Sequence, residues 1–556
     1  MKRRRSTGMI ALLLAAVMTF TGCGNAGEAT STESASGTQA SESTGSAETS
    51  GDLYLSDEKL DITIWFPMTS AAAAYTDTID GNVSYGKVEE LFNVDLHFIE
   101  EPEADAQQKF QLLIAGDDLP DLMSYTNYYP AGGEALIDEG VALDLAPYLD
   151  QLPNYKARIE ADPSIARDVY TDTGKIYEFF TIQNYTQPAY CGILIRGDWL
   201  EQVGMEAPTT VDELHDVLVA FKEQCTGGVA PMQLYQDGFG IEGSLIGMFG
   251  VMGGQAQYNW WTLEDGEVQF SPYLDGFQRY VQTMSDWYAE GLIDPNYTSN
   301  TEMFGNNELI ATTGVFNGMF TQAGEYYSNA GYIEEGGYFI CANMITEDGS
   351  PRRVGQYRPS AVLKQGVLVN PESEHLEEIL KMVDYFYSDE GSILATYGVE
   401  GETWHYDDEG NIVADDIIVK NENMNISGAR HANVMKNFGM YNIRNIEDDY
   451  LDEYQSAYLT KWVNEGFDKV VPMDYLSLTA EEGGTYNSIM SDVNTYILEN
   501  VNRFITGVES MDNWDAFIEG FASLDVEGAR TIVSDAYTRY MNRPVGEVEN
   551  GGESNE

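Results

Sequence analysis

The first 52 residues hold one segment that could bury apolar surface, Met9–Phe20, and it is not the makings of a globular core. Lys2 to Arg5 place a positive end before it. A helix needs about 20 apolar residues to cross a ~30 Å hydrocarbon layer, so this run is too short to be a membrane anchor. Basic end, short apolar run and small residues at its close are the pattern of an export signal. From Gly24 to Asp52 the chain is nearly all Ser, Thr, Gly, Ala and Glu, with no aromatic residue. Such a stretch buries too little to offset its ordering entropy and reads as a flexible tether. Whatever folds must begin near residue 53.

At the end of the apolar run, Phe20-Thr21-Gly22-Cys23 resembles the bacterial lipobox: apolar, small, small, cysteine. The resemblance implies that residues 1–22 are removed and that Cys23 is lipidated as the mature N-terminus, with 23–52 as the tether. Two or three acyl chains anchor a protein stably, at ~0.8 kcal/mol per buried methylene. The protein is thus expected on the outer face of a cell membrane of Gram-positive type.

Composition narrows the function. With 29 basic and 91 acidic residues the chain carries a formal charge of −62. A field of that sign repels phosphate backbones, which excludes nucleic acid as a partner, and disfavours anionic small ligands. Hydrophobic residues make up 43% of 556, more than one core usually holds, so two or more lobes are expected. After Cys23 only Cys191, Cys225 and Cys341 remain, too few and too widely spaced for a disulfide framework or a thiolate metal site.

The body reads as strands alternating with helices. In Lys59–Trp65, Leu60, Ile62 and Ile64 alternate with polar residues, as in a strand; a helical segment Tyr85–Phe92, a second strand Val94–Ile99 and a helix Ala104–Ala115 follow. Gly116–Met123 is a turn leading into a short buried strand. Cys191–Ile195 is a strand, and Thr-x-x-Glu before Leu214 has the pattern of a capping box. Helical patterns recur at Phe277–Glu290, Pro371–Ser388, Asp448–Glu465, Asn487–Phe504 and Asp512–Leu524. This alternation argues for layered α/β architecture.

An ordered series of short motifs is similar to one family. Gly116-Asp-Asp-Leu-Pro-Asp121, Thr173-Gly-Lys-Ile-Tyr177 and Ile195-Arg-Gly-Asp-Trp-Leu200 are followed by Pro208–Leu214 with Ala220-Phe-Lys222. Tyr288–Pro295, Tyr397–Glu402 and Phe504–Gly507 complete the series. Together they resemble the extracellular solute-binding lipoproteins of the family 1 type (LplA-like), sugar-binding components of bacterial ABC importers. The resemblance implies a type II periplasmic-binding-protein fold, two α/β lobes with a hinge and a mainly helical C-terminal region. Lobe one is expected over 53–188 plus 366–400 and lobe two over 189–365 plus 401–545, with 546–556 a disordered tail. It also implies a monomer that captures a saccharide between the lobes and hands it to ABC permease subunits, without cofactor or catalysis. Many relatives carry a calcium-binding loop after the Ala-Phe-Lys helix; here Glu223–Ala230 lacks spaced carboxylates, so no metal is expected there.

A sugar offers apolar C–H faces and a rim of hydroxyls, which aromatic rings and planar amides recognise. Trp65 and Phe66 end the first strand, and Asn127 and Tyr128 follow the Leu122-Met123 strand, where ligands of α/β sheets bind. In Trp260-Trp261, alternation assigns Trp261 to the core and Trp260 to the cleft. Asn317 and Phe320 lie in a segment resembling one that brings an aromatic into the cleft of maltose-binding relatives, and Trp404 is a further candidate. Each competes with an ordinary core role.

Catalytic motifs do not rival this reading. Gly238–Gly243 matches GxGxxG but lacks a preceding strand pattern, and no GxxxxGK[ST], HExxH or GxSxG occurs. The five histidines, at 97, 215, 375, 405 and 431, have no metal-ligand spacing. A neutral oligosaccharide is the expected cargo; the alternatives are a peptide or modified sugar, or a surface glycosidase or polysaccharide adhesin. Lipidation predicts that Cys23→Ala shifts the protein from the membrane fraction to the medium, read by immunoblot; retention of the variant on cells contradicts it.

Overall fold

The computed structural model describes residues 53–545, with breaks at 117, 127, 130–131, 186–188, 241–244, 252, 254–258, 301–310, 324–335, 344, 348–359, 437, 463–469 and 544. The export segment, the tether with Cys23 and the 546–556 tail lie outside the described residues. The strands of the two larger sheets are β1 Leu60–Met68, β2 Val94–Pro102, β3 Leu122–Tyr125, β4 Phe179–Gln183, β5 Cys191–Arg196, β6 Val315–Met319, β7 Phe339–Cys341, β8 Val362–Val369 and β9 Tyr441–Asn442.

The first sheet has the order β9-β4-β8-β3-β1-β2. β1 pairs in parallel with β2 and β3, while β8 runs antiparallel between β3 and β4. β1 alternates at its start and is continuously buried from Ile64 to Met68. That is the signature of a central strand covered on both faces. Helix α1, Val83–Phe92, covers this sheet; the Asn82 side chain accepts from the Tyr85 N–H at its start, and Asn93 closes it at φ 57°. The left-handed conformation is one that asparagine tolerates. Ile62, Val88, Phe110, Leu122, Phe180 and Val367 belong to the resulting core.

The second sheet, β6-β5-β7, is antiparallel. Around it stand α2 Val211–Gln224, α3 Asp275–Ala289, α4 Ala480–Ile505 and α5 Val526–Met541. The capping box of α2 is formed by Thr210 and Glu213, and α4 starts on another, Thr479 with Glu482. These helices bury a separate core that includes Leu218, Trp260, Phe277, Ile497 and Val533. Among the described residues no helix is long and apolar enough to cross a membrane. Cys191, Cys225 and Cys341 are free thiols, the first and last buried.

The structure redraws three expectations. Residues 401–446, assigned from sequence to lobe two, pack on the first sheet. β9 pairs with β4, and Asn82, Ser84 and Tyr85 donate to the carbonyls of Val434, Asn433 and Lys436. Helical periodicity shows that a face is apolar but not which partner covers it. The 365/366 boundary falls inside β8, whose eight residues all belong to the first sheet. Finally, the single helix expected over Asp448–Glu465 is a chain of short turns, Ile446–Tyr450, Glu453–Ser456 and Tyr458–Lys461. Asp452 caps a new start there by accepting from Tyr454 and Gln455.

Where β8 meets β4 the register slips between Leu363 and Gly366, leaving Lys364 and Gln365 in a bulge. A Cβ on Gly366 would lie 2.0 Å from the Phe179 carbonyl oxygen. Gly366→Ala is therefore expected to cost about 1–3 kcal/mol or more by forcing the two strands apart, seen as a lowered melting temperature. An unchanged melting temperature contradicts the close approach.

Candidate functional site

The loop leaving β3 is set by polar contacts beneath it. Asp121 accepts from the Thr63 N–H and hydroxyl (2.9 and 2.7 Å) and from the Ser373 hydroxyl (2.6 Å), so the Leu-Pro-Asp turn is tied to β1 and to the segment after β8. Beyond Tyr125 the next two described tyrosines diverge. Tyr128 packs edge-on against Trp65, with centroids 5.8 Å apart, and touches Phe110 and Tyr125; burial pushes its phenol pKa up. Tyr129, whose N–H donates to the Tyr125 hydroxyl, faces a cavity.

That cavity, about 600 Å³, is walled by both lobes. The first lobe contributes Tyr129, the 168–173 turn, Tyr177 and Lys364; the second contributes Tyr475, the start of α4 with Tyr486 and Asn487, and Arg539 and Arg543 near the end of α5. Asp172 ties the walls together, accepting from Arg539 Nε (3.0 Å) and Arg543 Nε (2.8 Å). Arg539 also holds Glu482 (2.7 Å), and Arg543 donates to the Arg167 carbonyl (2.8 Å). Burial works against the Glu482 charge, but hydrogen bonds from Thr479 and Arg539 outweigh it and lower the carboxyl pKa. The Tyr475 hydroxyl donates to the Val362 carbonyl at the start of β8. Tyrosine rings with polar edges, set in a crevice that two bodies share, suit a polyhydroxylated ligand.

Most of the residues singled out by sequence lie elsewhere. Asn127 is outside the described residues. Trp65 and Phe66 are buried, Trp65 against Phe110 and Tyr128, Phe66 against Tyr85 and Phe98. The division of labour expected within Trp260-Trp261 is corrected: both are 0% exposed. Trp260 donates to Asn494 Oδ1 of α4 (2.7 Å) and packs on Phe239 and on Phe277 of α3, which places it in the second core. Trp261 donates to the Tyr486 hydroxyl (2.9 Å), bracing a tyrosine of the cavity. Asn317 is buried and donates to the Gly192 carbonyl, and Phe320 stacks on Tyr458 at 3.8 Å. Trp404 donates to the Gly398 carbonyl within its own small cluster. None of the described candidates lines the cavity.

Of the residues that do, two carry a local signal in the sequence. Tyr129 adjoins Tyr128, and the Thr479–Glu482 capping box marks where a helix begins. Lys364 and Arg543 carried none, since their place depends on packing across hundreds of residues.

The model of the family described as bacterial extracellular solute-binding protein matches residues 80–393. The chain belongs to that family. Relatives include the lipoprotein LipO of Bacillus subtilis, 23% identical over 327 residues, a match covering 55% of this chain and 61% of LipO. The fructooligosaccharide ABC transporter substrate-binding protein FusA of Streptococcus pneumoniae is 26% identical over 210 residues, 34% of this chain and 38% of FusA. These matches thus span less than two thirds of the curated relatives' length. In fold the chain is similar to an HMO-binding, ABC-transporter-associated solute-binding protein of Bifidobacterium longum infantis. The TM-score is 0.71 at 19% identity, over 87% of this chain and 99% of that one. The expected two-lobed solute-binding fold is thereby shown, and members of this family bind solutes rather than transform them.

Trp260→Ala is expected to destabilise the protein by about 3–5 kcal/mol, with ligand affinity of the folded fraction within twofold of the parent. Denaturant titration together with calorimetric binding separates the two. A stable variant that no longer binds would return Trp260 to the cleft.

Proposed function

We propose that this protein is a substrate-binding component of an ABC importer, held to the outer membrane face by lipid on Cys23, which captures an oligosaccharide between its lobes. The observation that carries the reading is the tyrosine-lined cavity whose walls come from two separate cores. Family membership supports it, as do the saccharide named for FusA and the transporter association named for the Bifidobacterium neighbour. Ligand contacts to both walls favour the closed arrangement over the open one by the difference in their affinities, and the permease subunits read the closed form. No bond is made or broken in this cycle.

A thermal-shift screen of the intact chain in detergent, against oligosaccharides with peptides alongside, tests the reading. A ligand that binds only the native state adds about 2.7 kcal/mol at a hundredfold excess over its Kd. The expected result is a raised melting temperature with one glycan class and no hydrolysis of it. A shift with peptides alone overturns the cargo, and hydrolysis of the glycan overturns the binding role.

A further inference from the structure

Lys364 is the residue whose chemistry the fold does not use. It sits in the β8 bulge, and bulges commonly re-aim a side chain. Here the side chain lines the interlobe cavity. Among the described residues its ammonium has no hydrogen bond or ion pair, and it stands over the Tyr475 ring, 5.5 Å from the centroid. Burial lowers its pKa, the cost of keeping a cation in a partly dry site.

The acidic neighbours do not form the missing pair. Asp168 accepts from Ser360 and Tyr540, and Asp172 from Arg539 and Arg543. Asp474, with Glu178 and Asp168 after it, favours the Lys364 charge without an ion pair to it. Glu178 is 0% exposed, neither of its carboxyl oxygens has a partner, and burial raises its pKa well above the usual range. Glu178 and Lys364 favour each other's charge, but no ion pair joins them. Arg539 and Arg543, the other cations of the wall, are already committed to Asp172 and Glu482. Lys364 is half-buried, and a partly desolvated cation is costly unless an anion meets it.

We propose that Lys364 is the docking point for a carboxylate on the cargo, so that the cavity selects an acidic, uronate-bearing oligosaccharide over a neutral one. This rests on the capture reading above and replaces the neutral cargo that net charge alone suggested. The field of a chain at −62 acts on all anions at long range, whereas one aimed ammonium acts at contact. Tyr475 beneath the ammonium, with Tyr129 and Tyr177 on the same cavity wall, leaves aromatic surface for the sugar rings.

The test pairs each probe with its own control. Oligogalacturonates and oligoglucuronates are titrated calorimetrically into the intact chain, beside the same oligosaccharides after reduction of their carboxyl groups to alcohols. At least one uronate should bind tenfold or more tighter than its reduced form, the scale of one charge-assisted hydrogen bond. In Lys364→Gln that ratio should fall toward one, and Lys364→Arg should restore part of it. Equal or tighter binding of the reduced forms, or no binding of any uronate, overturns the proposal. If neutral oligosaccharides bind in that event, the capture reading survives; if only peptides bind, both fall. A lowered melting temperature in Lys364→Gln with the ratio intact would make Lys364 a structural companion of Glu178 instead.

Discussion

Strand β8 enters the first sheet from the other side of the molecule, and the architecture follows from that insertion. It lies antiparallel between β3 and β4, so the first sheet cannot close until the chain has built β5 to β7 and returned. The two apolar cores are separate, yet neither is a contiguous stretch of sequence. The chain crosses between them after β4, before β8 and after β9. Several covalent crossings and a shared polar wall join the two cores.

Charge ties the two sides of the wall together. Asp172 takes one Nε–H from each of Arg539 and Arg543, and the end of α5 thereby rests on the first lobe. Charge-assisted bonds of this kind are directional and about twice as strong as neutral ones. Breaking one partner of a buried set costs far more than the set contributes net, so such a contact specifies geometry more than it adds stability. Against this satisfied network, Lys364 stands out as a wall cation with no ion pair among the described residues.

What was legible in the sequence was local. The alternation of Leu60–Ile64, the turn ending at Asp121 and the Thr210–Glu213 capping box are each set by residues within a few positions of one another, and each formed as read. The family motifs, being short and ordered, conveyed the two-lobed fold. Lobe membership of 401–446 was not legible, because an apolar helix face carries no address. Nor were the cavity residues. In a chain that is 12% aromatic, ring type alone does not separate Trp260, sealed by two helices, from Tyr129, open to the cavity. Lys364 depends on a bulge that only strand pairing reveals.

In the proposed cycle a ligand brings two separately cored lobes together. Small-angle X-ray scattering of the intact chain in detergent, with and without a saturating oligosaccharide that raises its melting temperature, measures this directly. The expected result is a smaller radius of gyration for the protein component in the bound state. An unchanged radius at saturation would mean that the ligand binds without closure, and the two-lobe mechanism would be contradicted.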